Sequence, residues 1–325
     1  MEQKRYIVKK RKKKRRILRK LLLIVILLVL VAGSYGAYVV YQTMQAADDS
    51  YSQLGRGEKS DLRDKAVHFG KDPVSILLMG VEDYATGGKN GRADTIMVAT
   101  FNPDTKSMKL LSIPRDTKVY IPSKGRKDKI NASFNKGKDS TIETVENFLE
   151  IPIDYYATIN FEGFKSVIDE IGGVDVDVPF DFWEYTDTFP REKIYFEKGP
   201  AHLNGEEALA YARMRKRDPN GDFGRNDRQK EIVKAAFDAM LKPKNLMKVD
   251  EISDHVGKNM ETNLKATDGL SFITKFKSLS SDSIQTLKIE GSNDTSTGIY
   301  YFIPDEDHID KIKKELQEEL DYHGK

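Results

Sequence analysis

An uncharged run of twenty residues, Leu21–Val40, constrains this chain more than any other feature. At 1.5 Å of rise per residue, a helix of that length crosses a hydrocarbon core of about 30 Å. Residues 1–20 contain twelve Lys or Arg and one acidic residue, and because the whole chain is +2, the remainder carries −9. Basic residues stay on the cytoplasmic side of a membrane. The pattern therefore predicts a cytoplasmic tail at 1–20, a transmembrane signal-anchor at 21–41 and an external remainder.

A cleaved signal peptide is the alternative, because Ser34-Tyr35-Gly36 has the small-x-small form of a cleavage site. The apolar run is longer than a usual signal core, which favours an uncleaved anchor. Basic residues beside a membrane span typically contact anionic lipid headgroups, so we expect membrane lipid, and no nucleic acid, as the partner of the tail. The sequence thus predicts a single-pass type II protein of the cell membrane with a large extracellular part.

The external part must fold without disulfides, because the chain contains no cysteine. This also excludes a thiol nucleophile and Cys-ligated zinc. Residues 42–72 are polar and lack a clear period, which predicts a stem, whereas residues 73–325 are enough for one domain with its own hydrophobic core. Strand-like and helix-like segments alternate from Pro73 onward, with several hairpins. Strands are predicted at Ser107–Ser112, after a turn at Asn102-Pro103-Asp104-Thr105, and at Val174–Val178. Helices are predicted at Ser140–Glu150 with a Ser or Asp cap, from about Gly205 to Ala212 after a cap at Asn204, and near Asp268–Leu279. That order predicts an α/β fold, an α-β-α sandwich around a mixed sheet.

A cluster of arginines is the strongest functional signal in this part. Residues 211–229 run YARMRKRDPNGDFGRNDRQ and contain Arg213, Arg215, Arg217, Arg225 and Arg228. The planar guanidinium group pairs with phosphate oxygens two at a time. An apolar stripe at helical spacing, from Ile232 to Met240, extends backwards onto Arg225, Arg228 and Gln229. A surface charge run with ordinary salt bridges is the alternative, but buried charges need partners, which favours an oxyanion or phosphate site.

Two further segments offer arginine and carboxylate at the ends of predicted strands. In the first, Glu82 and Asp83 open the Gly-rich loop at residues 80–95, and Arg92 and Asp94 close it. In the second, Arg115 follows the predicted strand that ends at Ser112. Carboxylates of such a loop can bind Mg²⁺ and leave room for a substrate phosphate, although a solvated loop has the same composition. The convergence of three segments indicates phosphoryl chemistry, which needs the phosphate positioned and its charge offset.

Other common chemistries lack their motifs. No Gly-x-Gly-x-x-Gly follows a predicted strand, and no Gly-x4-Gly-Lys-Ser/Thr loop occurs, so nucleotide-binding folds gain no support. The five histidines are scattered without metal-ligand spacing, and no nucleophile elbow is present.

Several segments, taken together, resemble the LytR-CpsA-Psr family. They are Val74–Gly80 with GRADT at 91–95, LLSIPRDT at 110–117, DKIN at 128–131, TVENFLEIPIDYY at 144–156, NFEGF at 160–164, GGVDVDVP at 172–179, LNGEEALAYARMRKRDPNGDFGR at 203–225 and DRQ at 227–229. The likeness covers residues 73–240 in the order that the family has, and the basic tail with a single span also fits it. The resemblance implies a phosphotransferase that moves a polyprenyl-pyrophosphate-linked anionic glycopolymer, wall teichoic acid above all, onto peptidoglycan of a Gram-positive cell. The acceptor would be the muramic acid 6-hydroxyl, the product a phosphodiester and the leaving group polyprenyl phosphate.

The resemblance also implies roles for individual residues. The positions that match pyrophosphate-binding residues are Arg92, Arg115, Arg213, Arg215 and Gln229, with Arg225 as a further candidate. Asp94 matches a metal-linked carboxylate for Mg²⁺ (or Mn²⁺), and either Glu82 or Asp83 supplies the second, because the family usually has Asp where Glu82 stands. Catalysis is expected of Arg115, Arg213, Arg215 and Asp222, the last as a base. A polyprenyl-pyrophosphate hydrolase and a membrane-anchored envelope regulator remain the alternatives.

Overall fold

The computed structural model describes residues 50–81, 91–242, 245, 259–265, 268, 271, 272, 275 and 281–324. The predicted membrane span and the predicted metal ligands Glu82 and Asp83 lie outside these residues, as does most of the helix predicted near 268–279. Within the described ranges, no helix is both long and apolar enough to cross a bilayer.

The described residues form strands joined by helices and short 3-10 turns. The strands are β1 Val74–Val81, β2 Ala93–Asn102, β3 Ser107–Ser112, β4 Lys118–Ile121, β5 Arg126–Lys129, β6 Tyr155–Ile159, β7 Val174–Val178, β8 Phe182–Tyr185, β9 Lys193–Phe196, β10 Gly199–Leu203, β11 Met260–Thr262, β12 Ile284–Lys288, β13 Gly291–Asp294 and β14 Tyr301–Pro304. The helices are α1 Lys138–Leu149, α2 Phe161–Glu170, α3 Gly205–Arg213, α4 Asp222–Leu241 and α5 Glu306–Glu319. Three 3-10 turns cover Pro122–Lys124, Ile130–Lys136 and Ser281–Ser283.

A six-stranded mixed sheet lies at the centre, in the order β11-β6-β1-β2-β3-β12. β1 pairs with β2 antiparallel and with β6 parallel, while β3 pairs with β2 antiparallel and with β12 parallel. The antiparallel register of β1 and β2 sets Leu77 opposite Val98 and Gly80 opposite Thr95. The C-terminal end of β1 and the N-terminal end of β2, where Asp94 lies, therefore meet at one end of the sheet.

Helices cover both faces of this sheet, because its central strands alternate apolar side chains to either side. On one face, Leu77 and Val98 pack in a cluster with Val145 of α1 and Leu316 of α5. On the other face, Ile76 belongs to a cluster that includes two further sets of residues, Met97, Ala99 and Leu110 from the sheet, and Val233 and Phe237 from α4. The prediction of a mixed sheet within an α/β fold is confirmed.

A separate apolar cluster supports the arginine-rich segment. Tyr211 and Met214 are fully buried there, packed with Phe182 of β8, Phe196 of β9 and residues of α2, β7 and α3. The Phe182 and Phe196 rings stack with centroids 4.6 Å apart. The sequence did not predict the β8–β9 hairpin that supplies these rings, because its apolar and charged residues follow no clean alternation.

The ends of two helices differ in how well the sequence predicted them. The predicted cap of α3 is confirmed: the Asn204 side chain accepts from the Glu207 N–H at 3.0 Å, and Glu207 Oε2 accepts from the Asn204 N–H at 2.9 Å. The predicted Ser or Asp cap of α1 is wrong. That helix begins after Gly137, whose φ of 88° no ordinary residue adopts easily, and no side chain caps it.

The described part of the predicted stem packs against the domain. Leu54 and Phe69 are buried, the former within the core of α1 and α5. Arg63 donates to Asp154 at 2.8 Å and 3.0 Å, at the start of β6. Residues 50–72 therefore contribute to the core and to its polar contacts.

Candidate phosphate-binding site

Arg115 and Asp94 connect the ends of two adjacent strands. β3 ends at Ser112, and Pro114 prevents its continuation, so that Arg115 stands just beyond the edge of the sheet. Arg115 Nη1 donates to Asp94 Oδ1 at 2.7 Å. Burial alone would lower the pKa of Arg115, but Asp94, Asp116 and Asp222 outweigh it and raise the pKa above its ordinary value. The guanidinium group therefore stays charged although most of its surface is covered.

Asp222 holds two further arginines at the start of α4. Gly221, at φ 55°, ends the preceding turn, and Asp222 occupies the first helical position, where the positive end of the helix favours a carboxylate. Asp222 Oδ2 lies 2.8 Å from Arg215 Nε, and Oδ1 lies 2.5 Å from Arg225 Nη2. Burial lowers the pKa of Arg225; the neighbouring Asp222 opposes that effect, and Arg115 and Arg215 add to it. Asp222 thus lies between Arg215 and Arg225, whose like charges disfavour each other.

At this site, three buried guanidinium nitrogens have no hydrogen-bond partner in the described part of the chain. They are Arg115 Nε, Arg213 Nη1 and Arg225 Nε. A buried donor without an acceptor costs about 1–3 kcal/mol, and more when it is charged. A phosphate group that binds here would supply oxygen acceptors for these charged donors.

Arg213 and Gln229 extend the cluster along α3 and α4. Arg213 is the last residue of α3, and its guanidinium carbon lies 4.8 Å from the centroid of the Phe161 ring. Gln229 stands one turn after Arg225 on α4, so both face the same side of that helix. The Gln229 amide donates to the Ala212 carbonyl at 3.4 Å, which brings it next to Arg213.

The other two arginines of the same segment serve the structure. Arg228 is buried, pairs with Asp218, and donates Nε to the Tyr211 carbonyl at 3.0 Å. Arg217 stacks over Trp183 with its guanidinium carbon 3.4 Å from the ring centroid, and its Nη1 lies 3.3 Å from a Glu184 oxygen. From the apolar stripe on α4, the sequence-based interpretation grouped Arg228 with the phosphate-binding candidates. In the structure, its partners are Asp218 and the Tyr211 carbonyl, both within the same chain segment.

Sequence reasoning assigned no role to two charged residues beside Arg115. Asp116 is buried, and its Oδ1 lies 2.6 Å from Lys129 Nζ while its Oδ2 lies 3.7 Å from Arg115 Nε. Lys129 ends β5, and the 3-10 turn that follows it donates from Asn131 N–H to the Arg115 carbonyl at 3.1 Å. Asp116 belongs to the IPRDT segment and Lys129 to the DKIN segment. The signal that could have identified them was a charged residue at the end of a predicted strand.

The candidate metal ligands are described only in part. Asp94 is half-buried, and of its two oxygens only Oδ1 is engaged by a described residue, Arg115. Arg92 is exposed and forms no ion pair with any residue in the described ranges. No group of three or more His, Cys, Asp or Glu in those ranges could hold a metal. Mg²⁺ needs only one or two carboxylates when a phosphate and water complete its shell, so the oxygen donor of Asp94 fits this ion.

A mixed sheet with a cluster of arginines and aspartates at the ends of its strands defines the class of protein to which this chain belongs. The chain belongs to the LytR_cpsA_psr family, whose model matches residues 37–318. It is 54% identical over 299 residues to the polyisoprenyl-teichoic acid–peptidoglycan teichoic acid transferase TagV of Bacillus subtilis (strain 168), which covers 90% of this chain and 76% of that protein.

Solved structures of relatives agree with this assignment. The crystal structure of Bacillus subtilis TagV matches with a TM-score of 0.71 at 54% identity, covering 78% of this chain and 99% of that one. The structure of the LytR-CPS2A-psr family protein YwtF (TagT) with bound octaprenyl pyrophosphate lipid matches with a TM-score of 0.65 at 31% identity, over 83% of this chain and 99% of that one.

Proposed function

We propose that this protein is a phosphotransferase that moves a teichoic acid from a polyprenyl-pyrophosphate carrier onto peptidoglycan. The observation that carries the proposal is the set of buried nitrogens without a hydrogen-bond partner on Arg115, Arg213 and Arg225. Membership of the family supports the proposal. So do two relatives of this chain: TagV, which is named as a teichoic acid transferase, and TagT, whose structure contains octaprenyl pyrophosphate.

The reaction needs one displacement at phosphorus. The oxygen of an acceptor hydroxyl, which we assign to C6 of muramic acid, attacks the phosphorus that bears the glycopolymer. The bond from that phosphorus to the bridging oxygen breaks, polyprenyl phosphate leaves, and a phosphodiester remains between glycopolymer and acceptor. The hydroxyl proton passes to Asp222, whose carboxylate borders the same pocket as Arg115. Asp222 also orients Arg215 through their 2.8 Å contact.

The arginines supply charge where the pyrophosphate binds. We assign Arg115, Arg213, Arg215 and Arg225, together with Arg92 and Gln229, to the two phosphates. A preorganised donor of this kind lowers a barrier by roughly 3–4 kcal/mol. Asp94 and either Glu82 or Asp83 would hold Mg²⁺, which when bound would neutralise charge on the pyrophosphate oxygens.

The cell envelope is the place where this reaction has its substrates. We propose that Leu21–Val40 anchors the chain in the cell membrane, with residues 1–20 in the cytoplasm and the domain outside, because of the charge difference across that run. Protease added to intact, wall-stripped cells should then digest the domain. Full protection of the domain until the cells are permeabilised would reverse the proposed orientation.

The decisive experiment separates transfer from hydrolysis. The full-length protein in detergent would be incubated with a prenyl-pyrophosphate-linked saccharide, Mg²⁺ and uncrosslinked peptidoglycan oligomers. Mass spectrometry should detect a saccharide joined to muramic acid through one phosphate, with free saccharide phosphate accumulating only when the acceptor is withheld. Saccharide phosphate formed equally fast in the presence of acceptor, with no conjugate, would establish a hydrolase instead.

A further inference from the structure

The hairpin of β13 and β14 is docked on the segment that follows Arg115. Phe302 of β14 forms a parallel bridge with Thr117, and its N–H donates to the Asp116 carbonyl at 3.0 Å. Lys118 Nζ lies 3.8 Å from Asp294 at the end of β13. These contacts fix the hairpin relative to Arg115, although nearly two hundred residues separate the two in sequence.

The same hairpin contacts the start of α4. The Phe302 side chain is buried, and its ring meets that of Phe223 edge-on with centroids 5.6 Å apart. Phe223 directly follows Asp222, the candidate base. The ring pair therefore couples the position of Asp222 to the hairpin, and in particular to Tyr300, two residues before Phe302.

Tyr300 completes one wall of a narrow pocket whose other walls include Arg115, Asp116 and Asp222. Its side chain is half-buried, and its hydroxyl donates to Asn293 Oδ1 at 2.9 Å. The Lys129 ammonium lies 5.7 Å from the centroid of its ring. The phenol is therefore held by a neighbour on its own hairpin while the ring borders the pocket.

The electrostatic surroundings keep Tyr300 neutral. Burial raises its pKa above the ordinary value, and the carboxylates of Asp222 and Asp116 raise it further against the opposing effect of Arg215. A neutral phenol offers an apolar ring with a polar tip, in contrast to the charged groups around it. Such a ring fits a ligand with apolar C–H faces and hydroxyl groups, which is the chemistry of a saccharide.

The geometry of phosphoryl transfer decides which saccharide this is. The attacking and leaving oxygens lie roughly in line on opposite sides of the phosphorus. The base contacts the attacking oxygen, so the wall beside Asp222 borders the acceptor. We propose that Tyr300 is an acceptor-binding residue, whose ring packs against the peptidoglycan saccharide that bears the attacking hydroxyl and holds that hydroxyl at Asp222. This inference rests on the proposed function.

Acceptor kinetics of the full-length protein test the proposal. Tyr300→Ala should raise the KM for uncrosslinked peptidoglycan oligomers about tenfold, the scale of one lost aromatic contact. The KM for the prenyl-pyrophosphate saccharide, and its slow hydrolysis without acceptor, should stay within about twofold of wild type on the same scale. Tyr300→Phe keeps the ring and should keep the acceptor KM. Tyr195→Ala, which removes an exposed Tyr of β9, is the matched control.

A binding measurement separates this inference from the proposed function. Calorimetric titration of the peptidoglycan oligomers into the protein without donor should show weaker binding to Tyr300→Ala and unchanged binding to Tyr195→Ala. Equal acceptor affinity of wild type and Tyr300→Ala would overturn the role of Tyr300, whether or not the wild type makes conjugate. A raised donor KM in Tyr300→Ala, with the acceptor KM unchanged, would place the ring on the donor saccharide and overturn it equally. Binding that depends on Tyr300 without any conjugate would instead contradict the transferase function.

Discussion

Arg228 and Asp218 form a buried ion pair beneath the arginine-rich segment, with both side chains almost wholly covered. The Asp218 carboxylate presses against the backbone of α4 at Gly224, where any Cβ would collide with it. Arg228 also donates to the carbonyls of Tyr211 and Met214. The pair thus fixes the turn between α3 and α4, and this turn sets the positions of Arg213 and Arg215.

Removal of Arg228 should destabilise the fold. Arg228→Ala leaves Asp218 buried without its partner, a change that typically costs about 3–5 kcal/mol of unfolding free energy. Arg217→Ala, the matched control, removes a half-exposed pair with Glu184 and a cation–π contact with Trp183, which together cost about 1–2 kcal/mol. Urea unfolding of both variants measures the difference. Equal losses would mean that the Asp218 pair does not carry the turn.

Removal of Arg213 or Arg215 should instead affect turnover. We expect Arg213→Ala and Arg215→Ala, like Arg115→Ala, to lower turnover by about two to three orders of magnitude, the scale for one preorganised donor. Arg215→Lys should remain impaired, because a lysine cannot reproduce the two-pronged contact. Single-turnover transfer assays give the rates, and Arg217→Ala again serves as control. A similar loss at Arg217 and Arg213 would indicate a diffuse basic patch.

The Asp187 carboxylate should make stability depend on pH. Burial would raise its pKa, but the Lys165 ammonium, which donates to Asp187 Oδ1 at 3.1 Å, and the charge of Arg213 outweigh that effect, so the pKa is lowered in the fold. A lowered pKa contributes stability above the unfolded value of about 3.9, and this contribution is lost as the pH falls through the folded pKa. Asp187→Asn should therefore be less stable than wild type at pH 7, with a difference that shrinks towards pH 3.

Urea unfolding of wild type and Asp187→Asn across that pH range checks this expectation. Asp104→Asn, in the exposed turn between β2 and β3, controls for the loss of one negative charge. If the difference in unfolding free energy between wild type and Asp187→Asn stays constant from pH 7 to pH 3, the charge of Asp187 does not stabilise the fold through Lys165 and Arg213.

The local chemistry of the chain made much of the fold predictable. The Asn-Pro-Asp-Thr turn between β2 and β3, the bounds of β3 and β7, and the cap at Asn204 follow from residues within a few positions of each other. The β8–β9 and β13–β14 hairpins could not be predicted in this way, because they are stabilised by contacts with residues outside the hairpin. One example is the contact between the rings of Phe196 and Tyr211. Packing of that kind leaves no periodic trace.

The site was predictable to the extent that chemistry is carried by residue type. Arginines and carboxylates at strand ends pointed to phosphate, and the structure brings Asp94, Arg115, Arg215, Asp222 and Arg225 into one charged cluster. Spacing could not separate Arg225 from Arg228 three residues on, because their roles depend on what each side chain meets. Tyr300 lay outside every motif, since only the docking of Phe302 on Asp116 brings it to the pocket.

The metal prediction concerns Asp94, whose one oxygen pairs with Arg115 while the other has no partner among the described residues. Asp94→Asn keeps the shape of the side chain and removes its charge, so we expect a raised Mg²⁺ requirement or no activity. Of the variants at the second position, Glu82→Gln should be more harmful than Asp83→Asn, because Glu82 directly follows Gly-Val. Transfer rates against Mg²⁺ concentration, and Mn²⁺ binding followed by paramagnetic resonance, measure both effects. Undiminished transfer in excess chelator would reject the metal, whereas Mn²⁺ bound equally by wild type and Asp94→Asn would assign this carboxylate to the orientation of Arg115 alone.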